Sequence, residues 1–94
     1  MINHVEVSSD AKKDLKKVPK HIVVKLLGWV QRVEDSGLEE IRKNKGYHDE
    51  PLKGNRKGQR SIRLSKAYRA IYKIQKNEIE FVQIEEVNKH DYKK

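Results

Sequence analysis

The sequence predicts an α+β domain in the order β, α, α, β, β, β, with an N-terminal strand and a helical hairpin packed on one face of a small antiparallel sheet. Three observations lead there. Apolar residues in the N-terminal part recur at helical spacing, a glycine-bearing stretch interrupts them, and beyond it the period changes to two. At 94 residues the chain fits a single domain, 1–94, with one modest core.

"HVEVS" alternates over Val5 and Val7 and predicts a short first strand, with Ser8 or Ser9 as the cap of a following helix. That helix starts near Asp10. Its apolar positions Ala11, Leu15 and Val18 are spaced by four and three, and Pro19 ends it or opens the next at a tight corner. The second helix is predicted from about Lys20 to Ser36, with Ile22, Leu26, Trp29, Val30 and Val33 on one stripe and Gly37 at the C-terminal cap. "LEEIRK" adds a helical turn or two. Asn44 to Gly58 holds three glycines and Pro51 and is expected to be one long irregular loop. After it, "RSIRL" sets Ile62 and Leu64 against Ser61 and Arg63, and "YRAIYKI" sets Tyr68, Ala70, Tyr72 and Ile74 against Arg69, Ile71 and Lys73. "QKNE" predicts a polar turn. "IEFVQIEEV" reads as a final strand with apolar residues on both faces, as near the middle of a sheet. Asn88 to Lys94 is a short polar tail carrying His90 and Tyr92.

Composition narrows the chemistry. There is no cysteine, which removes disulfides, thiolate metal sites and thiol nucleophiles. "MINHVEVSSD" has no apolar signal region and no stretch is long and apolar enough to span a membrane, so a cytoplasmic location without membrane attachment is expected. The net charge of +8 favours a polyanionic partner, either nucleic acid or an acidic protein. Between Pro51 and Asn77 stand nine Lys or Arg residues and no acid, so this one segment exceeds the whole net charge.

A sheet face lined by Arg63 and Arg69, with Arg60 or Lys73 beside them, suits phosphate, because guanidinium forks match phosphate oxygens bidentately. The plain alternative is a solvated face kept soluble by charge, although such faces usually mix both signs. Glu50 stands at the head of the basic run. It reads either as a loop acid paired with a neighbouring cation or as a carboxylate able to take a proton from a ribose 2′-hydroxyl. His90 reads either as an exposed tail residue or as a proton donor to a leaving 5′-oxygen, and Tyr92 as an anchor of the tail. His4, His21 and His48 show no ligand spacing for a metal, and "GNRKGQRS" lacks the spacing of a phosphate loop and leads into a strand. Neither metal nor nucleotide cofactor is expected.

The segment "EPLKGN", the arginine in "YRAIY" nineteen positions after Glu50, and the His and Tyr of "NKHDY" together resemble the RelE and ParE superfamily of bacterial type II toxins. "GQRSIRL" followed by "YRAIY" is similar to the HigB-type pattern, and "EPLKGN" is similar to YoeB. The resemblance covers nearly the whole chain and implies the RelE-like fold. It implies a ribosome-dependent endoribonuclease that cuts mRNA in the A site by 2′-hydroxyl transesterification. It also implies a cognate antitoxin, of HigA type with a helix-turn-helix part as one form. On that resemblance Glu50 takes the general-base position, Arg69 that of the phosphorane-stabilising arginine and His90 that of the general acid, while Tyr92 helps to orient substrate. Lys53 and Arg63 fall at positions of RNA-contacting cations, and Arg56, Lys57, Arg60 and Lys73 extend the basic surface. Asp91 separates His90 from Tyr92, whereas YoeB sets its His and Tyr side by side, and RelE-like members use Lys and Arg in place of the Glu and His. Two other functions share this fold class: a ParE-like poison of DNA gyrase without nuclease activity, and an RNA-binding module that cuts nothing.

Overall fold

A computed structural model describes residues 1–89 of the protein. In chain order the elements are β1 (Val5–Val7), α1 (Ser9–Leu15), α2 (Lys20–Ser36), α3 (Leu38–Ile41), a 3-10 turn at Lys45–Tyr47, β2 (Glu50–Pro51), a second 3-10 turn at Gly54–Arg56, β3 (Gln59–Arg63), β4 (Tyr68–Lys76) and β5 (Glu80–Lys89). The strands form one five-stranded sheet in the order β1-β5-β4-β3-β2. It is antiparallel except at its edge, where β1 runs parallel to β5. The predicted α+β order stands, and the stretch from Asn44 to Gly58 proves less irregular than its composition suggests: it holds both 3-10 turns and the edge strand β2.

The helix boundaries follow from local chemistry. Ser8 caps α1, its hydroxyl accepting from the Ala11 amide at 3.1 Å, and Pro19 precedes the first turn of α2, where its missing N–H is no loss. Gly37 ends α2 at φ 90°, a conformation that disfavours side chains, and a Cβ there would lie 2.7 Å from Met1 Cγ. The tight corner lets the Leu38 amide bond the Ile2 carbonyl at 2.7 Å and ties the chain start to the helices.

Ile22, Leu26, Trp29 and Val33 of α2 are buried, spaced by four, three and four, and face Ile62, Leu64, Ala70, Tyr72, Val82, Ile84 and Val87 of the sheet. The expected stripe is thus the core stripe, with Val30 at its margin, while Val24 and Leu27 on the other side of α2 are 62% and 55% exposed.

The final strand differs from the two-sided reading. Between Ile71 and Tyr72 the pairing with β5 slips, Ile71 facing Glu86 and Tyr72 facing Ile84, so Glu85 is an extra residue on β5. A bulge of one residue reverses the alternation. Val87 therefore joins Val82 and Ile84 in the same core although its parity would place it opposite Ile84. The N-terminal elements hold the bulge: Ser8 donates from its hydroxyl to the Glu85 carbonyl at 3.2 Å, and the Val87 amide donates to the Asp14 carboxylate at 2.9 Å. Among the described residues no helix is long and apolar enough to cross a membrane.

Trp29 is the largest fully buried side chain and packs against Tyr72 with ring centroids 5.3 Å apart. Truncating it in Trp29→Ala is expected to cost about 3–5 kcal/mol, a large share of the stability of a domain this size, as read by urea denaturation.

Candidate functional site

On the sheet face turned away from the helices, β3 and β4 pair Arg63 directly with Arg69, Ser61 with Ile71 and Gln59 with Lys73. On the edge, β2 sets Glu50 against Ser61. This register brings a carboxylate, a serine and two guanidinium groups to one corner. They line a cleft of about 170 Å³ together with His48, Leu52, Ser65 and Tyr68. Glu50 and Arg63 are exposed, and Arg69 is half-buried. The Arg69 Nε is buried and makes no hydrogen bond among the described residues.

Like charges directly opposite each other on a sheet are destabilising. Arg63 and Arg69 meet in that arrangement, and the cleft contains one carboxylate to set against them. An unpaired cluster of this sign attracts a polyanion and provides forked donors for a phosphate.

The other cations predicted to face RNA are distributed differently. Arg60 stands opposite Tyr72, on the helix-facing side of the sheet, because its parity in β3 is that of Ile62. Its side chain is 21% exposed and its Nε donates to Asp49 at 2.6 Å, so the structure does not bring it to the cleft. Arg56 lies across the outer face: its Nε donates to Gln59 on β3 at 2.8 Å and its Nη2 to Glu86 on β5. On β4 between those strands, Ile71 is fully buried. Gln59 in turn donates to Glu85 at 2.8 Å and Asn88 to Glu86 at 2.9 Å, so acids from β5 occupy that end of the face. Lys73 is half-buried beside Gln59, four residues or about 13 Å along the strand from Arg69. Lys53 and Lys57 are exposed on either side of the second 3-10 turn. His90 and Tyr92 lie outside the described residues.

The two residues before Glu50 hold positions that the sequence reading does not assign to the site. Asp49 turns inward, its side chain 1% exposed, and accepts from both Arg60 and the Tyr72 hydroxyl. Burial disfavours the Arg60 charge, but the hydrogen bond and the charge of Asp49 outweigh it and hold its pKa above the ordinary value. Burial, and then the bond to Asp49, pushes the Tyr72 phenol well up. The second residue, His48, adopts the left-handed conformation, φ 48° and ψ 49°, and lines the cleft with Glu50. The signal for Asp49 was available: Arg60 and Tyr72 both fall on the apolar parity of their strands, and buried polar groups require a partner. Among the described residues no cluster of three His, Asp or Glu could hold a metal ion.

Two measurements check this geometry. A phenol whose folded pKa is raised stays protonated in the native state while the unfolded chain ionises, so stability falls as pH rises above about 10, by up to about 1.4 kcal/mol per pH unit for one group. Denaturant unfolding between pH 9 and 11 should show that component in the native sequence and lose it in Tyr72→Phe. Removing one of the facing guanidiniums in Arg63→Thr should stabilise the free protein by about 0.5 kcal/mol, raising Tm by roughly 2–4 °C, with a smaller gain at high salt.

Similar folds occur among solved structures. YafQ from E. coli strain BL21(DE3) superposes with a TM-score of 0.72 at 22% identity, covering 94% of this chain and 93% of that one. YafQ in the E. coli DinJ-YafQ toxin-antitoxin complex gives 0.71 at 24% identity, covering 96% and 94%. The YoeB dimer from Staphylococcus aureus gives 0.66 at 21% identity, covering 98% and 100%. At these identities the likeness is one of fold. No curated protein sequence matches the chain. Residues 5–90 match the family described as ParE toxin of type II toxin-antitoxin system, parDE. The chain therefore belongs to the ParE toxin family, and is a type II toxin–antitoxin toxin of the RelE/ParE superfamily.

Proposed function

We propose that this toxin is an endoribonuclease that cuts mRNA on the ribosome, inside the cleft formed by Glu50, Arg63 and Arg69. The observation that carries the reading is the convergence of one exposed carboxylate with two facing arginines in a single cleft. Facing like charges cost the free protein stability, and a phosphodiester whose charge grows during the reaction offsets that cost most strongly in the transition state.

The chemistry is transesterification. Glu50 takes the proton of the 2′-hydroxyl, the 2′-oxygen attacks the adjacent phosphorus, and Arg69 and Arg63 stabilise charge on the nonbridging oxygens. The P–O5′ bond breaks to leave a 2′,3′-cyclic phosphate and a 5′-hydroxyl. The substrate supplies its own nucleophile, so the route calls for no metal. A buried donor without a partner, as Arg69 Nε is among the described residues, is costly, and an anion in the cleft is the kind of group that offsets that cost. The resemblance gives His90 the acid role and Tyr92 an orienting one. The basic surface also suits an acidic antitoxin segment that folds as it binds, by analogy with the toxin-antitoxin complex named for YafQ, and the toxin would act in the cytoplasm.

The family match favours a second reading, in which the protein inhibits DNA gyrase as a ParE-like poison. Both share the fold, so the site must decide. Primer extension on mRNA in a translating extract separates them. The nuclease reading expects new cuts that require ribosomes, fall about 10²–10³-fold in Arg69→Ala and fall about 10²–10⁴-fold in Glu50→Gln. Intact mRNA together with loss of gyrase supercoiling would establish the second reading instead.

A further inference from the structure

We infer that His48 is a catalytic residue of this cleft, donating the proton that the leaving 5′-oxygen needs; the inference rests on the nuclease reading above. Composition gave His48 no role, and it matches none of the positions carried over from the resemblance. The structure places it on the cleft wall beside Glu50, Arg63 and Arg69.

Its backbone is unusual. Among the described residues His48 is the one non-glycine with positive φ. Left-handed backbone is a position where glycine is ordinarily favoured, and a side chain kept there is a reason to look for function. The chain is pinned on both sides. Asn44 caps the preceding 3-10 turn by accepting from the Gly46 amide at 2.9 Å, and the His48 amide donates to the Lys45 carbonyl at 3.1 Å. On the other side Asp49 is locked inward on Arg60 and Tyr72. With Asp49 turned to the interior, His48 and Glu50 are left exposed along the same cleft.

An in-line displacement requires a base at the entering oxygen and an acid at the leaving oxygen, on opposite sides of phosphorus. His48 and Glu50 are two residues apart, so their Cα atoms are separated by no more than about 7 Å. Both side chains reach several ångströms beyond that, enough to straddle one phosphorus. In the completed step the 2′-hydroxyl proton passes to Glu50, the 2′-oxygen bonds to phosphorus, the P–O5′ bond breaks and the His48 imidazolium proton passes to O5′. Glu50 is left protonated and His48 neutral, and exchange with water restores both. Imidazole suits the task because it can serve as a general acid and be restored by water. The charged and titratable groups that line the cleft with it are Glu50, Arg63 on β3, and Tyr68 and Arg69 on β4.

The test uses ribosomes programmed with a short synthetic mRNA, whose scissile linkage carries either the normal 5′-oxygen or a 5′-bridging sulfur. A thiolate leaves without a proton donor, so sulfur rescues loss of an acid and not loss of a base. His48→Asn keeps a side chain that tolerates left-handed backbone and removes the titrating group. Cleavage of the oxygen substrate should fall about 10²–10⁴-fold, and cleavage of the sulfur substrate should stay within a few fold of the native rate. The loss in Glu50→Gln should persist on both. Native-rate cleavage of the oxygen substrate by His48→Asn would overturn the inference and leave the nuclease reading standing. So would rescue confined to His90→Gln. Failure of the unsubstituted protein to cut either substrate would remove the nuclease reading and this inference with it.

Discussion

The Asp49 carboxylate joins the core of this protein to its cleft. It is almost wholly buried and accepts from Arg60 and from Tyr72, while Tyr72 itself packs on Trp29 at the centre of the fold. A buried charge left alone is very costly, and one with two well-placed donors is tolerated. The hydrogen bonds thus fix an otherwise short and weakly paired edge. β2 is only two residues long, too little pairing to hold a site by itself, and it is the anchored Asp49 that gives Glu50 a defined position opposite Ser61. His48, on the other side of the anchor, inherits the same constraint.

The same logic sorts the basic residues into two groups. Arg56 and Arg60 each have a carboxylate partner, Glu86 in one case and Asp49 in the other, and each works as a structural strut. Arg56 ties the 3-10 turn at Gly54–Arg56 to β3 and β5 across the outer face. Arg63 and Arg69 face each other and, among the described residues, form no ion pair with a carboxylate. A long basic run in a sequence is therefore not one surface. The parity of each strand and the acids delivered by β5 decide which cations remain available to a ligand.

Most of the architecture was legible because it depends on periodicity. The α2 stripe, the Ser8 cap, the Gly37 stop and the alternation of β3 and β4 are local patterns, and each is set by residues within a few positions of one another. The pairing of Arg63 with Arg69 follows from the same alternation. What was hidden depends on distant contacts. The β5 bulge is stabilised by Ser8 and Asp14, more than seventy residues away, and no pattern within "IEFVQIEEV" reveals the added residue. Asp49 carries no local signal because its partners, Arg60 and Tyr72, lie on β3 and β4. His48 was set aside for lack of metal-ligand spacing, a criterion that does not detect a left-handed residue placed on a cleft wall by its neighbours.

The fold by itself leaves the target of the toxin open, since RNA cleavage and gyrase inhibition are both built on it. The cleft is more informative because its features oppose stability. Two arginines face one another, a guanidinium donor is buried without a partner among the described residues, and a histidine occupies backbone that suits glycine. Each raises the energy of the free protein, and all three line or adjoin the same small space. Locally unfavourable choices of this kind are expected at functional sites. Their chemical types also agree: two arginines suit a phosphate, and a carboxylate beside an imidazole suits paired proton transfers. A surface shaped only for a protein target would require complementarity over a broad interface, and would not need that set of groups concentrated in one cleft of about 170 Å³.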